Sequence, residues 1–193
     1  MSCSKVVLST VLLASTAGIA LGFWKSWTFE ATPGRTAAYA AKWPTNCSLL
    51  RTPALPILVI ALHPNCPCSR ATIAELVKLQ TRYPGKLKVD VLFVRPTGFT
   101  QDWVTTDLWR DATGIPGVQA ISDDQQIAVT QFGAETSGQV FLYDGAGQLQ
   151  FHGGITACRG NIGDNDGRTS IESFIDTGRV TIDHTPVYGC ALQ

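Results

Sequence analysis

The chain has 193 residues, enough for one domain of ordinary size plus an appendage. Fifteen Lys and Arg balance fifteen Asp and Glu, so the basic surface that phosphate contacts require is missing, which argues against a nucleic-acid binder. The composition, 45% hydrophobic and 16% charged, is more apolar than ordinary soluble usage, and the excess collects at the N-terminus.

Val6 to Trp24 is a run without charge, bracketed by Lys5 and Lys25, with Trp24 and Trp27 where an aromatic belt would sit. At ~1.5 Å per residue it roughly matches a ~30 Å hydrocarbon core. A cleaved signal peptide is the rival reading. An anchor is favoured because the run exceeds the usual ~7–15 apolar residues and Phe-Trp-Lys is a poor cleavage site. Residues 1–25 are therefore expected as a membrane anchor and 26–50, punctuated by Thr-Pro-Gly and Trp-Pro, as a tether. Residues 51–193 form the folded domain. Its expected setting is single-pass in the cytoplasmic membrane, facing the periplasm or exterior.

Leu55–Leu62 (LPILVIAL) reads as a strand buried on both faces. From Ser69 a helix follows, with Ile73, Leu76, Val77 and Leu79 as its apolar stripe, stopping at Tyr83-Pro84-Gly85. Leu87–Val94 is a second strand, and this strand–helix–strand unit implies a right-handed crossover and a parallel pair. A helix is expected around Trp103–Ala112, a short strand at Val118–Ile121, and a helix capped by Asp123 running to Phe132. Gln139–Tyr143 and Gln148–His152, joined across Asp-Gly-Ala-Gly, read as a hairpin. A last helix spans Gly167–Thr177, with Ile171, Phe174 and Ile175 buried. The expected architecture is α/β, a mixed central sheet with helices on both faces behind the N-terminal helix.

Six cysteines are too few for a disulfide scaffold at this length, and no pair-of-pairs zinc spacing occurs. Cys3 lies in the leader. Cys47 and Cys158 would either pair or act as small apolar fillers. The informative stretch is His63-Pro64-Asn65-Cys66-Pro67-Cys68-Ser69, between the first strand and first helix. Unpaired N–H groups and the dipole at a helix N-terminus stabilise a thiolate there, and Pro67 fits a first turn. A Cys66–Cys68 disulfide would close a small, strained ring and exchange readily. A distant thiol, with Cys190 in the tail HTPVYGCALQ the best candidate, is the alternative resolving group. His152 reads as strand packing, and Asp164, Asn165 and Arg168 as capping and turn residues rather than a calcium loop.

With HPNCPCS, TSGQVFLYD and GGITACRGNIGDN, the chain over roughly residues 50–178 resembles the thioredoxin-like superfamily, in particular extracytoplasmic redoxins of the RedB type. The resemblance implies a thioredoxin-like fold and a thiol–disulfide oxidoreductase acting on protein thiols or disulfides, with no cofactor. Cys66 would be the nucleophile, with Ser69 at the usual resolving position, and Cys68 or Cys190 would resolve. Thr136, Ser137 and Gly138 would form a backbone ledge for an extended substrate. Two features depart from the superfamily: the site is Cys-Pro-Cys-Ser rather than C-x-x-C, and Gly138 stands where a cis-proline is usual. The resemblance also leaves a copper-binding chaperone, using Cys66, Cys68 and His63, as an alternative. A thiol peroxidase is a third reading, weakened by His63 standing where a Thr is expected.

Overall fold

The structure, a computed structural model, describes residues 3–53 and 55–192, with side chains from Val6 onward, so the side chains of Cys3 and Lys5 lie outside the described part. The chain separates into two units, Met1–Thr32 and Pro33–Gln193.

The first unit is α1, Cys3–Ala31. Its 29 residues at ~1.5 Å per residue reach ~43 Å, more than a ~30 Å hydrocarbon core. From Val6 to Trp24 it carries no charge on any face, and the Thr10, Thr16 and Thr28 hydroxyls donate back to carbonyls of the preceding turn. Val6–Ala31 therefore has the length and composition of a membrane span, which a signal sequence near an N-terminus shares.

In the second unit the elements are β1 Ile57–Leu62, α2 Ser69–Arg82, β2 Lys88–Arg95, a 3-10 turn at Gln101–Trp103 and α3 Asp107–Thr113. Then come β3 Val118–Asp124, α4 Ile127–Phe132, β4 Gln139–Tyr143, β5 Leu149–Gly154 and α5 Asp166–Thr177. The strands form one sheet in the order β3-β2-β1-β4-β5. The pairs β1–β2 and β2–β3 are parallel, while β1–β4 and β4–β5 are antiparallel. This is the thioredoxin-like fold, with the hairpin at one edge as expected.

β1 is central and fully buried, which is why its sequence is a continuous apolar run. Its side chains alternate between two cores. Leu58, Ile60 and Leu62 face one that includes Ile73, Leu76 and Leu79 of α2, Leu108 of α3 and Ile171 of α5. Ile57, Val59 and Ala61 face the other, with Ala128, Val129 and Phe132 of α4, Phe141, Tyr143 and Leu192. Of the stretch 26–50, residues through Ala31 continue α1, and those from Pro33 belong to the compact unit. There Trp43 packs edge-on to Phe132 and Tyr143, and the Tyr143 hydroxyl donates to the Ala40 carbonyl (2.7 Å).

Four local expectations are refined. Val77 is exposed rather than part of the α2 stripe. The helix around Trp103–Ala112 is interrupted: Thr106 is extended, and its hydroxyl donates to the Pro64 carbonyl (3.0 Å), tying α3 to the cysteine loop. Asp123 does cap α4, but from the end of β3, accepting the Ala128 and Val129 N–H groups at 2.8 Å. Asn165 caps α5 by accepting the Arg168 N–H (2.8 Å).

Arg168 itself serves a contact that local pattern does not show. Glu75 of α2 is fully buried; it accepts from Lys78 Nζ (2.7 Å) and the Gly163 N–H (2.9 Å) and forms an ion pair with Arg168, whose Nε lies 2.7 Å from the carboxylate. This carboxylate fastens the loop before α5 to the helix that begins at the cysteines. Arg168 keeps Glu172 as a partner at 2.6 Å, so removing the carboxylate costs chiefly the buried donors it leaves unpaired, ~1–3 kcal/mol. Glu75→Ala is expected to lower the stability of the compact unit by about that amount in denaturant titrations followed by tryptophan fluorescence. A loss below about 1 kcal/mol, the scale of an exposed pair, would contradict this role.

Candidate functional site

Between β1 and α2 the chain descends through successive tight turns: the Cys66 N–H donates to His63 O, Ser69 N–H to Cys66 O, and Ala71 N–H to Cys68 O, each at 3.1 Å. Cys68 is the N-cap residue of α2, so Pro67, expected in the first turn, lies just ahead of it, where its missing N–H costs nothing. Cys66 is 1% exposed and Cys68 half-buried beside it.

The third thiol arrives from the other end of the chain. Residues 183–185 run along the free edge of β5, exchanging backbone bonds with His152. Beyond Tyr188 the tail crosses to the segment before β4. The Ser137 N–H donates to Cys190 O (2.8 Å), the Leu192 N–H donates to Glu135 O (2.9 Å), and Thr136 bridges Ala191 in antiparallel sense. Leu192 is buried in the second core. This pairing sets Cys190 Sγ 2.9 Å from Cys66 Sγ. The sulfurs of Cys66, Cys68 and Cys190 all lie within 4.8 Å of one another.

Of the expected ledge, Thr136 and Ser137 thus meet the chain's own tail, while Gly138 pairs with β1. Their remaining groups are also engaged: Gly138 N–H donates to Ala61 O (2.8 Å) and the Thr136 hydroxyl to Arg35 O (2.7 Å). Gly138 has φ +92°, which proline's ring forbids, and a Cβ there would stand 2.9 Å from Thr72 Oγ1. The departure from the usual proline is therefore one of backbone as well as of side chain.

Ser137 links ledge to thiol. Its hydroxyl oxygen accepts the His63 N–H (2.7 Å) and pairs with the Ser69 hydroxyl (2.7 Å). The Ser69 hydroxyl in turn hydrogen-bonds Cys66, so Ser137, Ser69 and Cys66 form one connected chain. Burial pushes the Cys66 thiol up, but hydrogen bonds from Cys190 and Ser69 outweigh it and hold the thiol below its ordinary value. Burial, the hydrogen bond to Cys66 and the nearby Cys66 charge push Cys190 up to about 12. Cys68 is also raised, by burial and then by Cys66, with Arg159 opposing. One thiolate is favoured in the cluster, and it is Cys66, with Cys190 as its donor.

Sequence reasoning did not single out Arg159. It lies within GGITACRGNIGDN, and its side chain hydrogen-bonds Cys68 and the Gly189 carbonyl, joining the helix start to the tail. His63 stands apart from the sulfurs; its Nδ1 accepts the Asn65 N–H (3.1 Å) and its ring meets Trp103 edge-on. Cys47 and Cys158 are free thiols, and His152 of β5 packs between rings, tilted against Tyr39 and stacked on His184. A polar cavity of about 320 Å³, lined by Asn65, Pro67, Arg70, Thr105 and Thr106, borders Cys66 on the side away from the ledge.

No protein-family model and no curated protein sequence matches the chain. Among solved structures, a hypothetical protein from Sinorhizobium meliloti superposes with TM-score 0.59 at 23% identity, over 83% of this chain and 93% of that one. An uncharacterized conserved protein from Geobacillus kaustophilus gives TM-score 0.59 at 16% identity, over 84% and 92%. The thioredoxin domain of a thiol-disulfide oxidoreductase from Bacteroides vulgatus gives 0.47 at 13%, over 75% and 98%. The chain shares the fold of the first two over nearly their whole length.

The first thiolate to form as pH rises is expected to be Cys66, at a midpoint below that of an ordinary thiol, because its depressed value favours the ionised form. Ultraviolet thiolate absorbance should lose this transition in Cys66→Ser and show it displaced upward in Ser69→Ala and Cys190→Ala. An unshifted midpoint in both of the latter would contradict the donor assignment.

Proposed function

We propose that the chain is a membrane-anchored, extracytoplasmic thiol–disulfide oxidoreductase of the RedB redoxin type, with Cys66 as nucleophile and Cys190 as its resolving partner. The observation that carries this reading is the 2.9 Å contact between the two sulfurs, inside a pocket whose donors favour a thiolate on Cys66. The three segments that carry the redoxin resemblance also converge: HPNCPCS meets TSGQVFLYD through Ser69 and Ser137, and GGITACRGNIGDN through Cys68 and Arg159. The apolar helix α1 supports the anchor and the extracytoplasmic setting.

In the forward direction the Cys66 thiolate attacks one sulfur of a protein disulfide. That S–S bond breaks, the far sulfur leaves as a thiolate and takes a proton, and a mixed disulfide remains on Cys66. This bond removes the negative charge that held the Cys190 proton. Cys190 then ionises, attacks the Cys66 sulfur, and expels the second substrate thiol. Two electrons pass to the substrate, and the protein is left with a Cys66–Cys190 disulfide for an external dithiol to reduce. A disulfide needs its sulfurs ~2.05 Å apart, so closure asks for a movement of under ~1 Å.

A second reading keeps the same three residues. An all-thiolate cluster with no oxygen donor in the set suits a soft ion such as Cu(I). Binding of one Cu(I) per reduced chain, lost in Cys68→Ser and Cys190→Ser alike, together with no disulfide turnover, would favour it.

The oxidoreductase reading is tested by reduction of a model protein disulfide. Cys66→Ser is expected to lower turnover at least ~100-fold, as removal of a nucleophile does. Cys190→Ser should stop after the first step and accumulate a mixed disulfide on Cys66, visible by mass. Turnover surviving in Cys66→Ser would overturn the proposal.

A further inference from the structure

We infer that residues 189–192 occupy, within the chain, the position of a substrate polypeptide, and that the protein acts on extended segments in which glycine precedes the reacting cysteine. This rests on the thiol-exchange reading and adds to it the class of substrate and what must happen before it binds.

Three features of the tail make it an image of such a substrate. Its backbone pairs antiparallel with residues 135–137, through the Cys190 carbonyl and the Leu192 N–H, the main-chain groups that an added strand uses. Those bonds, not side-chain packing of Cys190, set its sulfur against Cys66. The approach is also selective. A Cβ on Gly189 would lie 1.8 Å from the Ser137 carbonyl oxygen and 2.9 Å from its carbon, both fixed backbone atoms. Any residue but glycine before the cysteine must therefore lift the segment from the ledge. Two positions after the cysteine, Leu192 is buried in an apolar pocket of the second core, and Arg159 grips the Gly189 carbonyl. The recognised pattern is Gly-Cys-x-Leu in an extended backbone.

While the tail is docked, an outside polypeptide finds the ledge filled and Cys66 buried. The polar cavity of about 320 Å³ bordering Cys66 is lined by no ledge or tail residue, so it offers an added strand no edge to pair with. A polypeptide substrate must displace the tail, and the tail's return after the first exchange carries Cys190 back to resolve the mixed disulfide. Atoms and electrons balance as in the exchange above, with the peptide cysteine supplying the sulfur that Cys66 attacks.

The test uses the full chain, reduced, in detergent. Peptides VYGCALQ and VYACALQ, each as a disulfide with a small thiol, and oxidised glutathione are offered to wild type, to Gly189→Ala, and to a chain ending at Tyr188. Mixed disulfide on Cys66 is followed by mass, and folding is checked by circular dichroism. The expected result is faster reaction of the glycine peptide than the alanine peptide, by roughly tenfold or more, the scale of a clash against fixed backbone. Both variants should raise the rate of the glycine peptide relative to that of oxidised glutathione, by a similar factor, the glutathione rate reporting any change in Cys66 itself when Cys190 is lifted away. Equal rates for the two peptides in wild type, or no gain in a variant that folds, would overturn the inference. If oxidised glutathione also fails to react at Cys66, the exchange reading itself has failed. Should both variants fail to fold, the comparison of the two peptides on wild type decides alone.

Discussion

Two backbone hydrogen bonds, Ser137 N–H to Cys190 O and Leu192 N–H to Glu135 O, hold the far end of the chain against the start of β4, and the chemistry of the site depends on them. Without them Cys66 would be a thiol in a turn ahead of a helix, with Cys68 for a neighbour and Ser69 for a donor. With them it is buried, has a second sulfur in contact and receives donors from both sides. The sheet prepares this docking. β4 ends its antiparallel pairing with β1 at Gln139 and Ala61, and Gly138 turns the backbone so that the preceding residues present their edge to the tail.

The strength of that docking sets how the site is used. Four net hydrogen bonds, the two above together with Arg159 to the Gly189 carbonyl and Gln126 to the Leu192 carbonyl, at about 1 kcal/mol each, and one buried leucine at about 2 kcal/mol give roughly 6 kcal/mol in favour. Ordering four residues costs about 1–1.5 kcal/mol each. The balance lies near zero, where local opening without unfolding of the core is expected. The Glu75–Arg168 ion pair works the other way: it ties the end of the loop that carries Arg159 to α2, so the tail closes onto a braced site. A braced site and a marginal tail suit the proposed exchange, in which Cys190 leaves and comes back.

Much of this was legible in the sequence because it is local. Buried strands read as apolar runs, α2 and α5 as 3.6-residue stripes, and the hairpin as two strands around Asp-Gly-Ala-Gly. Cys66 and Cys68 stood out because the strand–helix junction itself supplies the chemistry. What sequence left open is long-range. Cys190 is 124 positions from Cys66, and nothing near it says that its backbone pairs with Ser137; the tail offered only its Pro and Gly punctuation and a spare cysteine. Glu75 looks like a solvent-facing helix residue until Arg168 and Gly163 are found around it. Arg159 sits in a loop whose path is set by that buried carboxylate. Pattern also misjudged Val77, which a helical stripe admits and the geometry of α2 leaves exposed.

Tail docking places Cys190 against Cys66, with Cys68 beside them, and peptide mass mapping of the wild-type chain after mild oxidation most directly tests the proposal that Cys66 and Cys190 are the redox pair. The predicted product is a Cys66–Cys190 disulfide with Cys68 free; a Cys66–Cys68 or Cys68–Cys190 disulfide as the main product would contradict it.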